Sequence, residues 1–298
     1  MATMIAMTSS RCHADDVTQW PAGSRGNLDS RENAKPKEDW VYLRNNHVEV
    51  GLLRSHGGAI GSLKLRGEGH NFLNHYDHGR LVQQSYYGDS DDSDWAGKPW
   101  RYNPVQGGGY RGTPATVLKF QATEISATAI TEPRHWATGK SLPECEMHQR
   151  IRLQGPLVRL DFEFAYRGEA KHRPRHQETP AVFVDARFGT LVTPAGDRKG
   201  GRLTRRRPGW PNESVALDRS WAAYVDDQDK GVGILVPGVT EATCYRYQSG
   251  AGGEADCSYI APLQTFALEP GLKFSYRAFL TAGKLIDIQE RFGSVAEE

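Results

Sequence analysis

The sequence predicts an all-β fold, a two-layer antiparallel β-sandwich with few helices. Short runs that alternate apolar and polar residues recur from Asp39 onward, and turns containing Gly or Pro separate them every ~8–12 residues. Helical periodicity is nearly absent, and no segment repeats at a fixed period, which argues against a propeller or a solenoid. A chain of 298 residues is long enough to bury a full core.

The first segment, residues 1–38, is rich in Ser, Asp, Arg, Asn, Gly and Lys and has little apolar periodicity. We expect it to be a poorly ordered N-terminal arm, followed by a single catalytic β-sandwich domain over residues 39–298. The opening MATMIAMTSSRCHADD has a short apolar patch but no basic n-region, so it is a poor secretory signal. The expectation is a cytoplasmic protein, or an exported one whose signal is absent from this chain.

The predicted strands follow one another along the domain. WVYLRNNHVEVGLL, AIGSLKLRG and NFLNHY open it, and the alternation in VEVGLL and SLKL is that of strands with one buried face. After residues 75–106 come ATVLKFQATEISATAITE, CEMHQRIRLQG, LVRLDFEFAYRG, AVFVDARFGTLVT, SWAAYVDDQDKGVGILVPG, CSYIAPLQTFAL and KFSYRAFLTAG. A helix is expected only in KLIDIQERFGSVAEE, where Leu285, Ile288 and Phe292 recur at helical spacing.

Charge and cysteine content narrow the range of partners. The net charge is +1, with 37 basic and 36 acidic residues, so neither nucleic acid nor an anionic membrane is expected as a partner. No apolar run approaches the ~18–20 residues that span a bilayer. The four cysteines form no CxxC pair, so the sequence indicates no metal site and no cofactor. Cys244 and Cys257 are predicted either to close a hairpin as a disulfide or to stay reduced. The oligomeric state is left open.

Two stretches at the ends of the domain resemble a known family. VEVGLLRSHGGAIGSLKLRGEGHNFLNHYDHGR is similar to the first strands of the galactose mutarotase-like β-sandwich, or supersandwich, and SYIAPLQTFALEPGLKFSYRAFL is similar to its last strands. The phrases GRLVQQSYYGD, NPVQGG, RHQETPAVFV and WAAYVDDQDKGVGILVPG are also similar to a group of secreted bacterial β-sandwich proteins. The resemblance implies this fold and a sugar ligand, and it does not imply a reaction.

Residues 75–106, HYDHGRLVQQSYYGDSDDSDWAGKPWRYNPVQ, combine aromatic rings with carboxylates and amides. Aromatic rings cover the apolar face of a pyranose, and planar polar groups bind its hydroxyls. Ordered loops longer than ~12–15 residues are usually functional. We therefore predict a carbohydrate-facing loop, although aromatics that only cap the core would look the same. The candidate substrate-binding residues are Arg80, Gln83, Gln84, Tyr86, Tyr87, Asp89, Trp95, Trp100, Asn103 and Gln106, together with Arg175.

The first catalytic candidates lie in RPRHQETPAVFV. If this segment is extended, His176 and Glu178 project from one face, because side chains two residues apart in a strand do so. A carboxylate beside an imidazole suits proton transfer. The structural alternative is that Glu178 forms an ion pair with Arg175 or Arg173 and that His176 is only a wall residue.

The second candidates lie in PECEMHQRI. On a strand, Glu144, Glu146 and His148 share one face while Cys145 and Met147 point into the core. If this strand pairs with the His176 strand, Glu146 and Glu178 become the two carboxylates of glycoside hydrolysis, ~5–5.5 Å apart for retention or ~6.5–9.5 Å for inversion.

The expected function is a carbohydrate-active enzyme that cleaves a glycosidic bond of an oligo- or polysaccharide, with hydrolysis favoured. One alternative is a polysaccharide lyase, with Tyr86, Tyr87, His78 or His176 as acid and base and Arg80 or Arg175 neutralising a uronate. Another is an aldose 1-epimerase, in which an imidazole acid and a carboxylate base open and close the hemiacetal. A non-catalytic sugar-binding module is the third.

Overall fold

The computed structural model describes residues 39–77, 79–196, 201–250 and 252–295. The expected N-terminal arm at residues 1–38 lies outside these residues, and so does His78. In the described part of the chain the regular elements are antiparallel β-strands and one helix, which confirms the predicted all-β class.

The strands, in chain order, have the following bounds: β1 Trp40–Arg44, β2 Val48–Leu53, β3 Ala59–Leu65, β4 Gln83–Ser85, β5 Ser90–Trp95, β6 Lys98–Arg101, β7 Pro104–Val105, β8 Thr116–Ala122, β9 Ser126–Glu132, β10 Arg134–His135, β11 Cys145–Gln154, β12 Leu157–Tyr166, β13 Arg175–Asp185, β14 Thr190–Pro194, β15 Leu203–Arg206, β16 Glu213–Ala216, β17 Trp221–Val225, β18 Lys230–Leu235, β19 Glu241–Tyr247, β20 Cys257–Phe266 and β21 Lys273–Lys284. The helix α1 spans Leu285–Val295.

Two large sheets form the two layers of the sandwich. One has seven strands in the order β10-β7-β4-β13-β20-β19-β16, and the other has nine in the order β15-β14-β17-β18-β21-β12-β11-β9-β8. Ile151 and Leu160 of the nine-stranded sheet share one apolar core with Val182 and Ile260 of the seven-stranded sheet. A three-stranded sheet, β1-β2-β3, contributes further side chains to this core. The predicted two-layer sandwich is therefore confirmed.

The predicted C-terminal helix is also confirmed. Leu285, Ile288 and Phe292 of α1 are buried against the nine-stranded sheet, on the side away from the shared core. Gly233 of β18 makes this contact possible, since a Cβ there would lie 2.7 Å from Ile288 and from Phe292. None of the helices in the described residues has the length and apolarity needed to cross a membrane.

Residues 75–77 and 79–106 contain short strands and a hairpin, which corrects the prediction of one long loop. They contain β4 and β7 of the seven-stranded sheet and the separate hairpin β5-β6. Around β4 the side chains alternate between the two faces. Gln84 donates a hydrogen bond to the backbone oxygen of His148 across the sandwich (3.0 Å), and the ring of Tyr86 packs on Phe164 in the interior.

The two cysteines that flank the β19–β20 turn do not pair. Cys244 lies opposite Ile260 and Cys257 lies opposite Tyr247, three positions apart along the strands and therefore on opposite faces of the sheet. Both thiols are buried and free. The disulfide alternative is wrong because the pleat of the sheet directs the two thiols apart.

Candidate active site

A cleft of about 220 Å³ opens on the outer face of the seven-stranded sheet, the face away from the shared core. Its polar lining includes Arg101, Arg175, His176, Glu178, Asn212 and Glu241. A smaller hollow shares Tyr87 and Glu178 with the cleft and continues to Gln83, Asn103 and Trp136. The central strand β13 supplies the residues at the middle of this face.

Glu178 is the buried acid of the cleft, with a relative exposure of 4%. Its Oε1 accepts a hydrogen bond of 2.5 Å from the hydroxyl of Tyr259 on the neighbouring strand β20. Burial raises the pKa of Glu178, and hydrogen bonds from Tyr259, Tyr87 and Ser85 only partly oppose that rise. Glu178 is therefore a carboxyl group that holds a proton more readily than an exposed glutamate does.

His176 and Glu241 form an imidazole–carboxylate pair at the rim of the same cleft. His176 Nδ1 lies 3.4 Å from Glu241 Oε1 and 3.1 Å from Thr265 Oγ1. About half of each side chain is exposed, so both are accessible to a ligand. His176 and Glu178 lie opposite Thr265 and Leu263 of β20, so an imidazole and a carboxyl group reach the cleft from alternate positions of one strand.

Sequence reasoning missed Glu241. It starts β19 in the unremarkable phrase VTEATCYRY, 65 positions after His176 in the sequence numbering, and no local pattern marks it. Only the pairing of β19 beside β20, and of β20 beside β13, brings its carboxylate to the histidine.

Arginines border the cleft on the side of Tyr87. Asp89 accepts hydrogen bonds from Arg173 Nε (2.8 Å) and from Arg175 (3.0 Å). Partial burial of Asp89 opposes its ionisation, but the bonds from Arg173 and Arg175 prevail and lower its pKa to about 2. Arg173 and Arg175 thus both contact Asp89. The alternative considered from sequence, an ion pair of either arginine with Glu178, is not what these contacts show. Arg101, at the end of β6, also lines the cleft.

Asn212 is a further residue that the sequence did not indicate. Its Nδ2 donates to Thr243 Oγ1 (3.0 Å), whereas its buried Oδ1 has no hydrogen-bond partner within the described part of the chain. Buried polar atoms normally have a partner, so this oxygen marks an acceptor that a ligand hydroxyl would satisfy.

The other predicted acid, Glu146, lies far from this cleft in the topology. Its strand β11 belongs to the nine-stranded sheet, so the predicted pairing of the Glu146 and Glu178 strands is wrong. Glu146 Oε1 lies 2.7 Å from His148 Nε2 and 3.2 Å from Arg167. Hydrogen bonds from His148 and then Arg167 lower the pKa of Glu146. Glu146 therefore contacts His148 and Arg167 at a partly solvated surface on the outside of the other sheet.

The tryptophans expected to stack on a sugar contact each other instead. Trp95 and Trp100 are 7% and 8% exposed, and their rings lie edge to face at 4.8 Å. Trp136 and Tyr87 complete this cluster. Trp95 and Trp100 thus follow the core-capping alternative, because their ring faces are already covered, and Tyr87 is the member that also lines the cleft.

Several predicted binding residues hold the backbone in place. Gln84 and Tyr86 point into the sandwich, so neither reaches a ligand on the outer face. Gln106 donates to the Gly57 oxygen and to Gln149, both at 2.9 Å, and Asn103 donates to the Tyr86 oxygen at 2.7 Å.

Gln83 resembles Asn103 in reaching the smaller hollow, whereas Arg80 lines neither cavity. Gln83 lines the smaller hollow while it donates to the Gly79 oxygen (2.9 Å) and accepts from the Gly107 amide (2.7 Å). Arg80 donates to the backbone oxygen of Ala255 and is not among the residues that line the cleft.

Comparison with known proteins identifies the fold. No family model matches the chain, and no curated protein matches it. A solved galactose mutarotase-like protein from Lactobacillus casei is similar at a TM-score of 0.56 and 12% identity, covering 82% of this chain and 99% of that one. An Escherichia coli K12 protein provisionally described as an aldose 1-epimerase gives a TM-score of 0.54 at 12% identity, covering 82% and 98%.

A 4-alpha-glucanotransferase from Thermococcus litoralis is similar over part of its length. The TM-score is 0.50 at 12% identity, and the match covers 83% of this chain and 38% of that one. Identities this low show the fold alone. The structural similarities confirm the galactose mutarotase-like sandwich fold, which the resemblance of the first and last strands had implied.

Proposed function

We propose that this chain, which has the galactose mutarotase-like fold, is an aldose 1-epimerase that interconverts the anomers of a free sugar. The observation that carries the proposal is the buried carboxyl of Glu178, with its raised pKa, in the same cleft as the His176–Glu241 pair. Glu178 holds a proton more readily than an exposed carboxyl group does, and the neighbouring His176–Glu241 pair supplies a candidate base. Different environments of neighbouring groups are how acid and base roles are separated.

The reaction requires only these two roles. Glu178 donates its proton to the ring oxygen of the sugar while His176, with Glu241 beside it, accepts the proton of the anomeric hydroxyl. The bond between C1 and the ring oxygen breaks and leaves an open-chain aldehyde. Rotation about the C1–C2 bond and the reverse proton transfers close the other anomer and restore both groups. The carboxyl is therefore the acid and the imidazole the base, the reverse of the assignment made from sequence.

The size of the cleft favours a single sugar. Its volume of about 220 Å³ is below the ~300–1,000 Å³ typical of sites for drug-sized ligands. A cleft of this size accommodates one ring with its hydroxyls more readily than several residues of a polymer. Elimination is less well supported, because Tyr86 faces the interior of the sandwich. Burial raises the pKa of Tyr87, which disfavours this phenol as a base.

Glycoside hydrolysis is the second candidate, now with Glu241 in place of Glu146. Glu178 pairs with Leu263 of β20, and Ala242, next to Glu241, pairs with the adjacent Pro262. Two interstrand spacings separate the two acids by roughly 9–10 Å at the backbone, near the ~6.5–9.5 Å between carboxyl groups in inverting enzymes.

Exchange spectroscopy tests the proposal. Equilibrium exchange between the α and β anomers of several aldoses is measured by NMR with and without the protein, while oligosaccharides are assayed for new reducing ends and uronate polymers for an unsaturated product. Catalysed exchange without either product is expected. New reducing ends would support hydrolysis, and spontaneous exchange rates for every neutral and acidic aldose would overturn the epimerase proposal.

A further inference from the structure

Gln177 is a buried amide that lies on β13 between His176 and Glu178. Its side chain has no exposed surface, whereas its two neighbours in the chain reach the cleft. Adjacent residues of a strand direct their side chains to opposite faces, so the amide of Gln177 lies on the inner face of the sheet. Gln177 takes no part in the proton transfers of the proposed reaction, and its contacts point to another role.

The amide of Gln177 binds both backbone groups of Tyr87. Its Oε1 accepts a hydrogen bond from the Tyr87 N–H (2.6 Å), and its Nε2 donates to the Tyr87 carbonyl oxygen (3.0 Å). Nε2 also donates to the carbonyl oxygen of Phe266 on β20 (3.0 Å). One side chain of β13 therefore makes three hydrogen bonds and links the backbone of Tyr87 to β20.

This link continues the attachment of the chain to β13 beyond the end of β4. The last residue of β4 that pairs with β13 is Ser85. Farther on, the chain pairs on its other side, where the Gly88 N–H donates to the Tyr102 oxygen (2.7 Å). Alternate residues of an antiparallel pair direct their backbone groups to opposite sides. The backbone groups of Tyr87 therefore face β13, where Gln177 takes the place of a strand partner.

The position of Tyr87 affects how far Glu178 is shielded from water. The phenol of Tyr87 hydrogen-bonds to the Glu178 carboxyl group, and both side chains line the cleft and the smaller hollow. The other titratable, charged and hydroxyl groups around this carboxyl come from five strands: Ser85 of β4, Arg101 of β6, Arg175 and His176 of β13, Glu241 and Tyr245 of β19, and Tyr259 of β20. Those residues are held within strands, whereas Tyr87 lies outside a strand and depends on side-chain contacts for its position.

We propose that Gln177 is a positioning residue, which fixes the backbone of Tyr87 so that the phenol encloses Glu178 and keeps water away from it. The inference deepens the proposed function and rests on it, because Glu178 is the acid of that reaction. Without the amide, the backbone groups of Tyr87 would lose their partners, and buried polar groups without partners are costly enough to admit water or move toward it. Water beside Glu178 would stabilise its ionised form and lower its pKa, since burial is the largest cause of the raised value.

Gln177→Met tests the proposal, because it keeps the length of the side chain and removes its hydrogen bonds. In protein isotope-labelled at the glutamate carboxyl carbons, the NMR titration of Glu178 is assigned by its absence from Glu178→Gln. In Gln177→Met this titration should move to lower pH by on the order of one unit. Above the pKa each unit lowers the protonated fraction tenfold, so kcat for anomer exchange should fall about tenfold on the alkaline limb of the pH–rate profile.

Tyr87→Phe separates the position of the ring from its hydrogen bond. This change keeps the ring over Glu178 and removes a donor that lowers the pKa of Glu178. The titration of Glu178 should therefore move to higher pH, opposite to its movement in Gln177→Met. A shift of Gln177→Met to higher pH would show that the amide does not keep water from the acid, and would overturn the proposal.

Gln149→Met is the matched control, because Gln149 is also a buried amide that holds backbone. Its Nε2 donates to the Gly58 oxygen (2.8 Å), and its strand β11 belongs to the nine-stranded sheet. The titration of Glu178 should stay in place in this variant. Circular dichroism and thermal unfolding confirm that each variant is folded. If Gln177→Met does not fold, Gln177→Asn replaces it, with a smaller shift in the same direction expected because its amide is one methylene short of Tyr87.

The titration needs no substrate, so its outcome is independent of the epimerase assay. A titration that stays in place when Gln177 is replaced, or that moves equally in Gln149→Met, would overturn the inference and leave the epimerase function standing. The expected shift in a protein that exchanges no anomers would support the control of Glu178 by Gln177 although the epimerase proposal had failed.

Discussion

Two regions of this molecule carry the same pair of residues at the same spacing. Glu146 and His148 lie two positions apart on β11, and His176 and Glu178 lie two positions apart on β13. Each pair faces away from the shared core of the sandwich. The pKa of Glu146 is lowered by its hydrogen bonds, whereas the pKa of Glu178 is raised by burial.

The difference lies in what covers each strand. Tyr259 and Tyr87 enclose Glu178 and remove it from water, whereas Glu146 shares a partly solvated surface with His148 and Arg167. Desolvation favours the protonated carboxyl, and cationic partners favour the ionised one. The spacing of two residues therefore establishes a shared face, and the neighbouring elements decide what the acid does there.

The size of a depression is a poor guide to which region is the site. A larger groove of about 630 Å³ lies on the nine-stranded sheet beside His148. One of its acids, Asp161, is held by Arg159 (2.9 Å) and by Arg277 (2.7 Å). These charges compensate one another at a partly exposed surface, which is typical of a structural ion-pair network.

The largest expected difference between the two regions is in activity. Glu178→Gln keeps the shape of the side chain but removes its transferable proton, so the rate of anomer exchange should fall by about 10²–10⁴-fold. Glu146→Gln should change the rate less than about twofold because Glu146 is outside the cleft. NMR exchange spectroscopy on both variants measures this difference, and equal losses would contradict the assignment of the site.

A smaller effect is expected when the hydrogen bond to Glu178 is removed. Tyr259→Phe should lower kcat about tenfold, because the donor stabilises the carboxylate that forms after proton donation. With Glu178 as the acid of the proposed reaction, the exchange rate should fall as pH rises through the pKa of Glu178. Loss of this donor raises that pKa further, so the alkaline limb of the pH–rate profile should move to higher pH.

Tyr276→Phe controls for loss of a buried phenol, since Tyr276 packs on Phe162 within the sandwich. It should leave the pH–rate profile in place. An unshifted profile for Tyr259→Phe, or the same shift in both variants, would contradict the role of Tyr259 in setting the pKa of the proton donor Glu178.

Folding stability should respond to pH with opposite signs in the two regions. The raised folded-state pKa of Glu178 contributes stability that is present below its unfolded-state pKa and is lost as pH rises through the folded value. The lowered pKa of Glu146 contributes stability that is present above its unfolded-state pKa and is lost as pH falls through the folded value.

Relative to wild type, Glu178→Gln should therefore become more stable as pH increases from about 4 to 8, because the substitution removes the buried acid that must ionise. Glu146→Gln should become less stable over the same range. Urea unfolding of both variants across this range measures the two slopes, and slopes of the same sign would contradict the contrast.

The smallest expected effect is the loss of folding stability when the surface contact of Glu146 with His148 and Arg167 is removed. Glu146→Gln should lower the free energy of unfolding by no more than about 1 kcal/mol at neutral pH, and added salt should reduce the difference by screening. A loss of several kcal/mol that persists at 1 M salt would show that Glu146 is coupled to the core.

Much of the fold was predictable because the relevant signals are local. Alternation in VEVGLL and CEMHQRIRLQ identifies strands with one buried face, and the spacing of Leu285, Ile288 and Phe292 identifies α1. Short β4 and β7 were not predicted because each has three residues or fewer, too few for a recognisable alternation. Without β4 as a strand, the opposite orientations of Gln83 and Gln84 could not be deduced.

By itself the sequence determined that this chain forms an antiparallel sandwich and that His176 and Glu178 share one face of a strand, because side-chain direction follows from the local pleat. The tertiary structure alone decided that β13 pairs with β20 rather than with β11. Because of this pairing, the carboxylate near His176 is that of Glu241 and not the expected Glu146, and Glu178 is buried under Tyr259 and Tyr87. Strand pairing and burial join residues far apart in the chain, and no local pattern encodes which distant strand becomes the neighbour.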